Sequence, residues 1–439
     1  MTVAIERNHW ATANLGDVID LFDHKRIPLN SRERQARQGQ YPYYGAQGVI
    51  DHIDGYVFDG RYILVAEDGE NLNSKKLPLA LFADGKFWVN NHAHILRAKP
   101  DVADDTFLLA CLNNANIKPF VTGAAQPKLS QSNLRLIEIP LPPLPTQRRI
   151  AGILSVYDEL IENNQRRIRI LEDMARSLYR EWFVHFRYPG HETVPLVDSP
   201  LGQIPQGWEV IAFTEITDVL SGGTPKTDAA DYWSGEIPFF TPRDAPGCFY
   251  VQDTDKHVTE LGLSKCASQL YQPDTVFITA RGTVGKVALS SVPMAMNQSC
   301  YALRGKAGIN QRFLFLMTLQ QVDYLKTNTG GATFDTIVVD TFRRMQVVKP
   351  SLDLIAQFTS RIDAVFEQIN TLQRQTANLR RTRDLLLPRL LSGQIALATD
   401  TPPIYDEDEF KRMVEKGTQA WAGVPDSAAW VETLRGNKE

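Results

Sequence analysis

Two long segments carry apolar residues at heptad spacing. The first follows PLPPLPT, and its apolar positions are Ile150, Leu154, Tyr157, Ile161, Ile168, Leu171, Ala175, Leu178 and Trp182. The second runs from about Ser351 to Leu387, with Ile355, Phe358, Ile362, Val365, Ile369, Leu372, Leu379 and Leu386. Pro388 is expected to end or kink this helix. Each helix would be about 50 Å long at the usual rise per residue.

The two series share one register, because positions 154, 161, 171 and 178 fall on 362, 369, 379 and 386 at an offset of 208. Either segment alone is typical of an ordinary core helix. The shared register favours an intramolecular coiled coil, in which the polar residues Asn164, Thr376 and Arg383 would help to fix register and partner choice.

The segments before the helices also repeat. GAAQPKLSQSNLRLIEIPLP (123–142) aligns with GATFDTIVVDTFRRMQVVKP (331–350), and FWVNNHAHILRAK (87–99) with AMNQSCYALRGK (295–306). Both halves contain β-branched and aromatic runs separated by turns, which are typical of strands in an irregular mixed sheet. We therefore predict an α+β protein with a pseudo-twofold internal repeat. Two mixed α/β domains would be separated by two long helices that form an antiparallel coiled coil.

The predicted boundaries follow from these patterns. They are a first domain at 1–144, a central helical spacer at 145–188, a linker and second domain at 189–350, a distal helical spacer at 351–395 and an acidic tail at 396–439. The stretch 188–208 is rich in proline and glycine, so we predict a linker there.

Charge and composition exclude few classes of protein. The formal net charge is −4, but the residues from Asp400 onward hold nine acids and five bases, so the main body is neutral and can carry basic patches. No apolar run reaches the roughly 18 residues that span a bilayer, and no signal peptide is evident. The four cysteines form no CxxC pair. We expect a cytoplasmic protein with reduced cysteines and no metal site or membrane segment.

None of the candidate catalytic motifs in the sequence is complete. RGTVGK (281–286) resembles a phosphate-binding loop, but its glycines are three apart and Val287 stands where the loop needs Ser or Thr. EDGENLNSKK (67–76) offers a loose nuclease-like set that is more typical of a solvated loop. No methyltransferase NPPY or DPPY motif and no GxSxG is present. The sequence therefore predicts no catalytic centre.

Taken together, the duplicated segments and matched helices resemble the specificity subunit of type I restriction–modification enzymes. The second half resembles it most: SGGTPKTDAADYWSGEIPFFTPRD (221–244), then TARGTVGKVAL and MAMNQSCYAL. In the first half, YPYYGAQGVIDHIDGY (41–56) and YILVAEDG (62–69) look like an alternative version of the same elements. The resemblance covers roughly 10–395 and leaves the tail unmatched.

This resemblance implies two target-recognition domains, each recognising one half of a split DNA site. The helices would hold them apart and dock two modification subunits, which use S-adenosylmethionine, and restriction/translocase subunits, which use ATP and Mg²⁺. The chain itself would bind double-stranded DNA, hold no cofactor and have no catalytic residue. A coiled-coil interaction protein without sequence-specific DNA binding is the alternative.

Candidate DNA contacts are polar and basic residues at the predicted turns. In the second domain they are Thr224, Lys226, Arg243, Arg281, Lys286, Asn297 and Gln298. The lysines suit phosphates; the arginines and amides suit base edges. Asn297 and Gln298 have an equal alternative, hydrogen bonds within their own turn. The first domain offers weaker candidates that are also typical of a plain surface: Tyr44, Gln47, Lys75, Lys76, Gln126 and Lys128.

Partner-binding candidates come from the helices. They are Leu154, Ile161, Trp182, Phe183, Ile362 and Ile369. For Trp182 and Phe183 the pattern favours internal packing, with contact to a partner subunit as the alternative.

Overall fold

The computed structural model describes residues 10–123, 126–328, 336–395 and 397. The described residues divide into two compact units: unit 1 comprises those from 10 to 161 and from 379 to 397, and unit 2 comprises those from 162 to 378. The predicted acidic tail (396–439) lies outside the described residues except for Leu397.

Unit 1 is built from short strands and helices. Its strands are β1 (Thr12–Asn14), β2 (Ile19–Leu21), β3 (Gln38–Gly45), β4 (Gly48–Ile53), β5 (Phe58–Asp59), β6 (Tyr62–Ala66), β7 (Ala80–Ala83), β8 (Lys86–Val89), β9 (Ala93–Ala98) and β10 (Glu138–Pro140). Its helices are α1 (Leu15–Val18), α2 (Ser31–Ala36), α3 (Asn71–Ser74), α4 (Asp105–Asn114) and α5 (Gln131–Arg135).

Three sheets organise unit 1, in the orders β2-β9-β6-β7, β4-β3-β8-β5 and β1-β10. Strand β6 (YILVA) is buried at every position, which explains its continuous apolar sequence. Helix α4 packs its buried face on this sheet, and the Asp104 side chain caps its start by accepting from the Thr106 and Phe107 N–H groups. The core thus lies between the central sheet and α4.

Unit 2 repeats this plan with longer connections. Its strands are β11 (Leu196–Ser199), β12 (Gly202–Pro205), β13 (Glu209–Ala212), β14 (Thr217–Ser221), β15 (Trp233–Phe240), β16 (Tyr250–Val251), β17 (His257–Val258), β18 (Val276–Thr279), β19 (Val287–Ser290), β20 (Ala295–Met296), β21 (Cys300–Gly305) and β22 (Gln346–Lys349). The helices lying wholly within it are α7 (Phe213–Ile216), α8 (Glu260–Ser264), α9 (Gln311–Asn328) and α10 (Val339–Arg344).

The sheets of unit 2 follow the strand order of unit 1, except that β16 extends the first sheet and no strand of the described residues corresponds to β5. They are β14-β21-β18-β19-β16, β17-β15-β20 and β13-β22, with an added pair β11-β12. The strands β18 (VFIT) and β19 (VALS) are fully buried, as β6 is. The predicted α+β class and internal repeat are therefore confirmed.

Two 40-residue helices contribute to both units, α6 (Leu144–Phe183) and α11 (Leu352–Leu391). In unit 2 the rings of Trp182 and Phe183 pack on Phe358, with ring centroids 5.5 and 4.9 Å apart. In unit 1 the Arg383 guanidinium donates to the Asp158 carboxylate at 2.5 Å. Both helices therefore contribute side chains to the cores of the two units.

The predicted partner-binding residues need correction. All six are at most 8% exposed: Leu154, Ile161, Trp182, Phe183, Ile362 and Ile369. A side chain enclosed by its own chain presents no surface to another subunit. Packing is therefore their role, which is what the pattern favoured for Trp182 and Phe183.

Two local predictions were also wrong. The stretch 188–208 is not an open linker, since β11 and β12 pair there as a hairpin and Tyr188, Ile204 and Trp208 are buried in the core of unit 2. Helix α11 continues through Pro388 to Leu391. Burial of Leu390 and Leu391 in unit 1 offsets the helix bond that proline lacks.

Across the described ranges, every helix is too short or too polar to cross a membrane.

Candidate nucleic-acid interface

Five connections of unit 2 meet near the ends of β15 and β20 and line an open cleft of about 620 Å³. Its lining comprises Thr224, Thr227, Trp233, Phe239, Thr241, Pro242, Arg243, Asp244, Asp255, Lys256, Arg281, Gly282, Thr283, Asn297, Gln298 and Ser299. Five of the seven residues predicted in this domain are therefore brought together: Thr224, Arg243, Arg281, Asn297 and Gln298. Lys226 and Lys286 are exposed but do not line the cleft.

The first wall of the cleft is the turn Thr241–Asp244. Strands β15 and β20 run parallel and end together, so this turn lies beside the segment that follows β20. The Asp244 carboxylate accepts from the Thr241 N–H at 2.8 Å and from the Asp255 N–H at 2.9 Å. Arg243, inside the turn, is exposed, and its guanidinium makes no hydrogen bond or ion pair with the residues that the structure describes.

The second wall is the segment Asn297–Ser299 after β20, and Asn297 holds it in place. Its Oδ1 accepts from the Ser299 N–H at 3.0 Å, and its own N–H donates to the Phe240 carbonyl at 3.0 Å. The alternative in which Asn297 bonds its own turn is therefore what the structure shows. Gln298 behaves differently, since its Oε1 accepts from the Thr224 hydroxyl across the cleft.

The third wall is the loop 280–286, which contains the sequence RGTVGK. Gly282 and Gly285 have φ values of 78° and 75°, which glycine adopts without strain. The Gly285 and Lys286 N–H groups both donate to Thr279, at 2.9 Å each. Because these amides are already bonded, they cannot surround a phosphate as a nucleotide-binding loop requires. Arg281 remains exposed at the cleft.

The electrostatics of the cleft are mixed but leave cations exposed. Lys256 lies over the Trp233 ring at 5.5 Å from its centroid. The lining carries three cations, Arg243, Lys256 and Arg281, against two acids, of which Asp244 accepts hydrogen bonds from its own turn and from the Asp255 N–H. Arg243 and Arg281 are thus available to an anionic or hydrogen-bond-accepting ligand that enters the cleft.

The candidates of unit 1 lie on two neighbouring segments. Tyr44 is the last residue but one of β3, and its ring packs edge-on against Phe87; burial, and then the nearby Asp84 carboxylate, raise the pKa of the Tyr44 hydroxyl. Gln47 is exposed in the tight turn between β3 and β4. Lys128 pairs with Asp68 in an isolated antiparallel β-bridge, and its Nζ lies 3.2 Å from the Glu67 carboxylate.

The remaining candidates in unit 1 are Lys75, Lys76 and Gln126. Lys75 Nζ donates to the Ala115 carbonyl at 2.5 Å, so it is a structural contact. Lys76 and Gln126 are exposed.

Unit 1 also contains a charged cluster that the sequence prediction missed. Arg26 Nη1 donates to Glu67 Oε2 at 2.6 Å, and His94 Nδ1 lies 2.6 Å from Asp23 Oδ2. The other nitrogen of His94 faces the Leu129 carbonyl at 2.8 Å. Asp23 and His94 are 71 residues apart in the chain, so no local pattern indicates the pairing.

The cluster stabilises the ionised carboxylates. Burial opposes ionisation of Asp23, but His94, the Ile95 N–H and Arg26 outweigh it and lower the pKa of that carboxyl. Glu67 behaves alike: burial acts against ionisation, while Arg26, His94 and Lys128 lower its pKa. Asp23, Glu67 and His94 place possible ligand atoms within 4.8 Å of one another, and the Arg26 and Lys128 side chains are paired with the same carboxylates. The cluster fixes the start of the loop 67–69.

Three backbone hydrogen bonds recur at equivalent positions in the two units. Asn90 N–H donates to the Tyr44 carbonyl at 3.0 Å, as Asn297 N–H does to Phe240. Glu67 N–H donates to the His92 carbonyl, as Ala280 N–H does to Ser299. Leu129 N–H donates to Glu67, as Ile337 N–H does to Ala280. Three matched bonds make the loop ends of the two units structurally equivalent.

Known proteins are similar to this chain in sequence and in fold. The family model described as "Type I restriction modification DNA specificity domain" matches residues 8–173 and 205–378. The chain is 27% identical over 283 residues to the type I restriction enzyme MjaIX specificity subunit of Methanocaldococcus jannaschii, covering 64% of this chain and 65% of that protein.

A second relative matches one part of the chain. It is the putative type I restriction enzyme specificity subunit S.HindORF215P of Haemophilus influenzae, 37% identical over 147 residues, covering 33% of this chain and 37% of that protein. The chain thus spans less than two thirds of the length of either relative.

A solved structure shows the same fold. The S subunit of a type I restriction-modification system from M. genitalium superposes with a TM-score of 0.58 at 17% identity, covering 88% of this chain and 97% of that one.

Proposed function

The chain belongs to the type I restriction modification DNA specificity family, and we propose that it is the DNA-specificity subunit of a type I restriction–modification complex. In this role it recognises a bipartite double-stranded DNA site, one half with each unit, and has no catalytic centre of its own. Its place of action is the cytoplasm, where the DNA is.

The observation that carries the proposal is the pair of equivalent loop ends with different side chains. Both units hold their turns with the same backbone bonds. Yet Gln47 and Asp68 in unit 1 stand where unit 2 has Arg243 and Arg281. A repeated scaffold with exchanged polar side chains suits recognition of two different half-sites. Phosphate contacts supply affinity in such complexes, and base-edge contacts supply sequence preference.

We also propose that α6 and α11 form an intramolecular antiparallel coiled coil that separates the recognition units. The shared heptad register supports it. So do two contacts: Trp182 with Phe358 in unit 2, and Asp158 with Arg383 in unit 1. Residue numbers rise along one helix as they fall along the other, which is the antiparallel direction. Dimeric readers place two such elements about 34 Å apart, one turn of DNA.

The partners follow from the family. Two modification subunits would dock on this chain and use S-adenosylmethionine, and restriction/translocase subunits would use ATP and Mg²⁺. Docking would take place on exposed surfaces, because the buried helix residues are not accessible.

Methylation mapping of the host genome tests the function. We expect a bipartite methylated motif that disappears when this gene is deleted and returns when it is restored. A methylome unchanged by the deletion would contradict the proposal and favour the coiled-coil interaction protein without sequence-specific DNA binding. In vitro, the chain assembled with its modification subunits should bind DNA carrying the motif more tightly than DNA lacking it.

A further inference from the structure

The equivalence of the two units extends to one exposed turn position. In unit 2 the Asp244 N–H donates to the Thr241 carbonyl at 3.0 Å and closes a four-residue turn. In unit 1 Gly45 pairs with Gly48 across the β3–β4 turn. Each turn begins one residue after the matched residue, Phe240 or Tyr44. Arg243 and Gln47 therefore occupy the same third position.

Both side chains at this position are available to a ligand. Arg243 and Gln47 are exposed, and within the described part of the chain neither makes a side-chain hydrogen bond. The backbone holds each turn, with help from the Asp244 carboxylate in unit 2. The side chain at the third position thus carries no structural bond.

The chemistry of the two side chains differs in a way that DNA distinguishes. Arginine donates two parallel hydrogen bonds to guanine O6 and N7, and glutamine pairs with adenine N6 and N7. We propose that Arg243 recognises a guanine in the half-site of unit 2 and that Gln47 recognises an adenine in the half-site of unit 1. This inference rests on the proposed function and assigns the specificity-determining residue of each unit.

Neighbouring residues fit other roles. Asn297 and Asn90 are identical at equivalent positions, and each Oδ1 accepts from the residue two further on, at 3.0 and 2.8 Å. They therefore hold the turn in both units and cannot make the half-sites differ. Asp68, equivalent to Arg281, has its Oδ2 2.6 Å from His92 Nδ1 and is already engaged. Arg281 has no such partner in the described part of unit 2 and suits a phosphate.

An exchange of the two residues tests the assignment. The full complex with modification subunits would carry either Arg243→Gln or Gln47→Arg, and its methylation of a randomised DNA library would be sequenced. We expect Arg243→Gln to change one guanine to adenine in one half-site, and Gln47→Arg to change one adenine to guanine in the other. The preference at that base should move by about tenfold to hundredfold.

Controls separate base recognition from charge. Arg243→Lys keeps the charge but loses the paired donors, so we expect a weaker guanine preference. Arg344→Gln, an exposed change on α10, should leave the motif unchanged. If both exchange variants methylate the wild-type motif unaltered, the inference is wrong. It is also wrong if Arg243→Gln weakens methylation equally at all sequences, because that marks a phosphate contact.

The wild-type result separates the two proposals. A wild-type complex without a bipartite motif would overturn the proposed function itself. A wild-type bipartite motif that neither variant alters would overturn only the assignment of Arg243 and Gln47.

Discussion

At the scale of single residues, Lys286 distinguishes a DNA contact from a nucleotide site. Its side chain is exposed, and its N–H is bonded to Thr279. We expect Lys286→Ala to weaken DNA binding by the complex about equally for all sequences. The slope of log affinity against log salt should fall by about 0.9, the value of one lost phosphate contact. Fluorescence anisotropy at several salt concentrations measures both.

The control for this change is Lys349→Ala, whose lysine pairs with Glu209 on the β13–β22 sheet. It should leave the salt slope unaltered. ATP binding by the wild-type chain that disappears in Lys286→Ala would instead support a nucleotide hydrolase.

Glu172 gives a prediction about pH. Burial raises the pKa of this carboxyl to about 7, against its ordinary value of 4.5, and its Oε1 accepts from the Phe249 N–H at 2.6 Å. The folded state therefore keeps a proton that the unfolded chain loses between about pH 4.5 and 7, so stability falls as pH rises through that window. The fall attributable to this residue is on the order of 3 kcal/mol.

Glu172→Gln replaces the titratable carboxyl with a neutral amide and should remove this part of the pH dependence of stability. The free energy of unfolding in urea, measured from pH 4 to 8, should favour the variant increasingly towards pH 8. Glu162→Gln, an exposed change on the same helix, reports the effect of the substitution alone. A constant difference between wild type and Glu172→Gln at all pH values would refute the assignment.

At the scale of elements, Arg312 on α9 ties this helix to α11 within unit 2. Its side chain is 12% exposed and lies 2.8 Å from Asp363, 3.5 Å from Asp274 and in contact with Glu367. Arg312→Met removes the hydrogen bonds to three acids, but these are 34, 49 and 66% exposed and can be solvated, so we expect a loss of about 1.5 kcal/mol of stability. Arg344→Met breaks the exposed pair with Asp340 and should cost less than about 0.5 kcal/mol. Equal losses in urea unfolding would contradict this.

Elements were predictable where one physical signal dominates. The heptad pattern indicated both long helices, and β-branched and aromatic runs indicated strands such as β6 and β18. The hairpin β11–β12 was missed because its proline and glycine content indicates a loop, whereas its backbone pairs and Ile204 joins Tyr188 and Trp208 in the core of unit 2. The end of α11 was misplaced for a similar reason, since packing of Leu390 outweighs the proline signal.

At the scale of the whole molecule, the two units should act independently on DNA. Replacing residues 195–350 by the equivalent segment of a relative should change one half of the methylated motif and leave the other. Glu209 pairs with Lys349, and the Gln206 N–H donates to the Pro195 carbonyl at 2.8 Å, so the two ends of the exchanged segment lie in the same region, which favours folding of the chimera. Methylation mapping of the chimeric complex provides the measurement. A change in both halves would show that the units do not divide the site between them.

The candidate site was predictable in part at this scale. The repeat located the turn residues, and five of the seven in unit 2 line one cleft. The charged cluster around His94 was not predictable, because its members are distant in sequence and carry no shared motif. The partner-binding residues were misassigned because heptad spacing cannot tell a helix face inside one chain from a face that meets another chain.

The asparagine turns have an evolutionary consequence. Asn90 and Asn297 hold the loops next to the third-position residues by bonds to the main chain. Substitution at Gln47 or Arg243 therefore leaves the supporting bonds intact. Under the proposed assignment, a single substitution at either position would alter the recognised half-site while the chain keeps its fold.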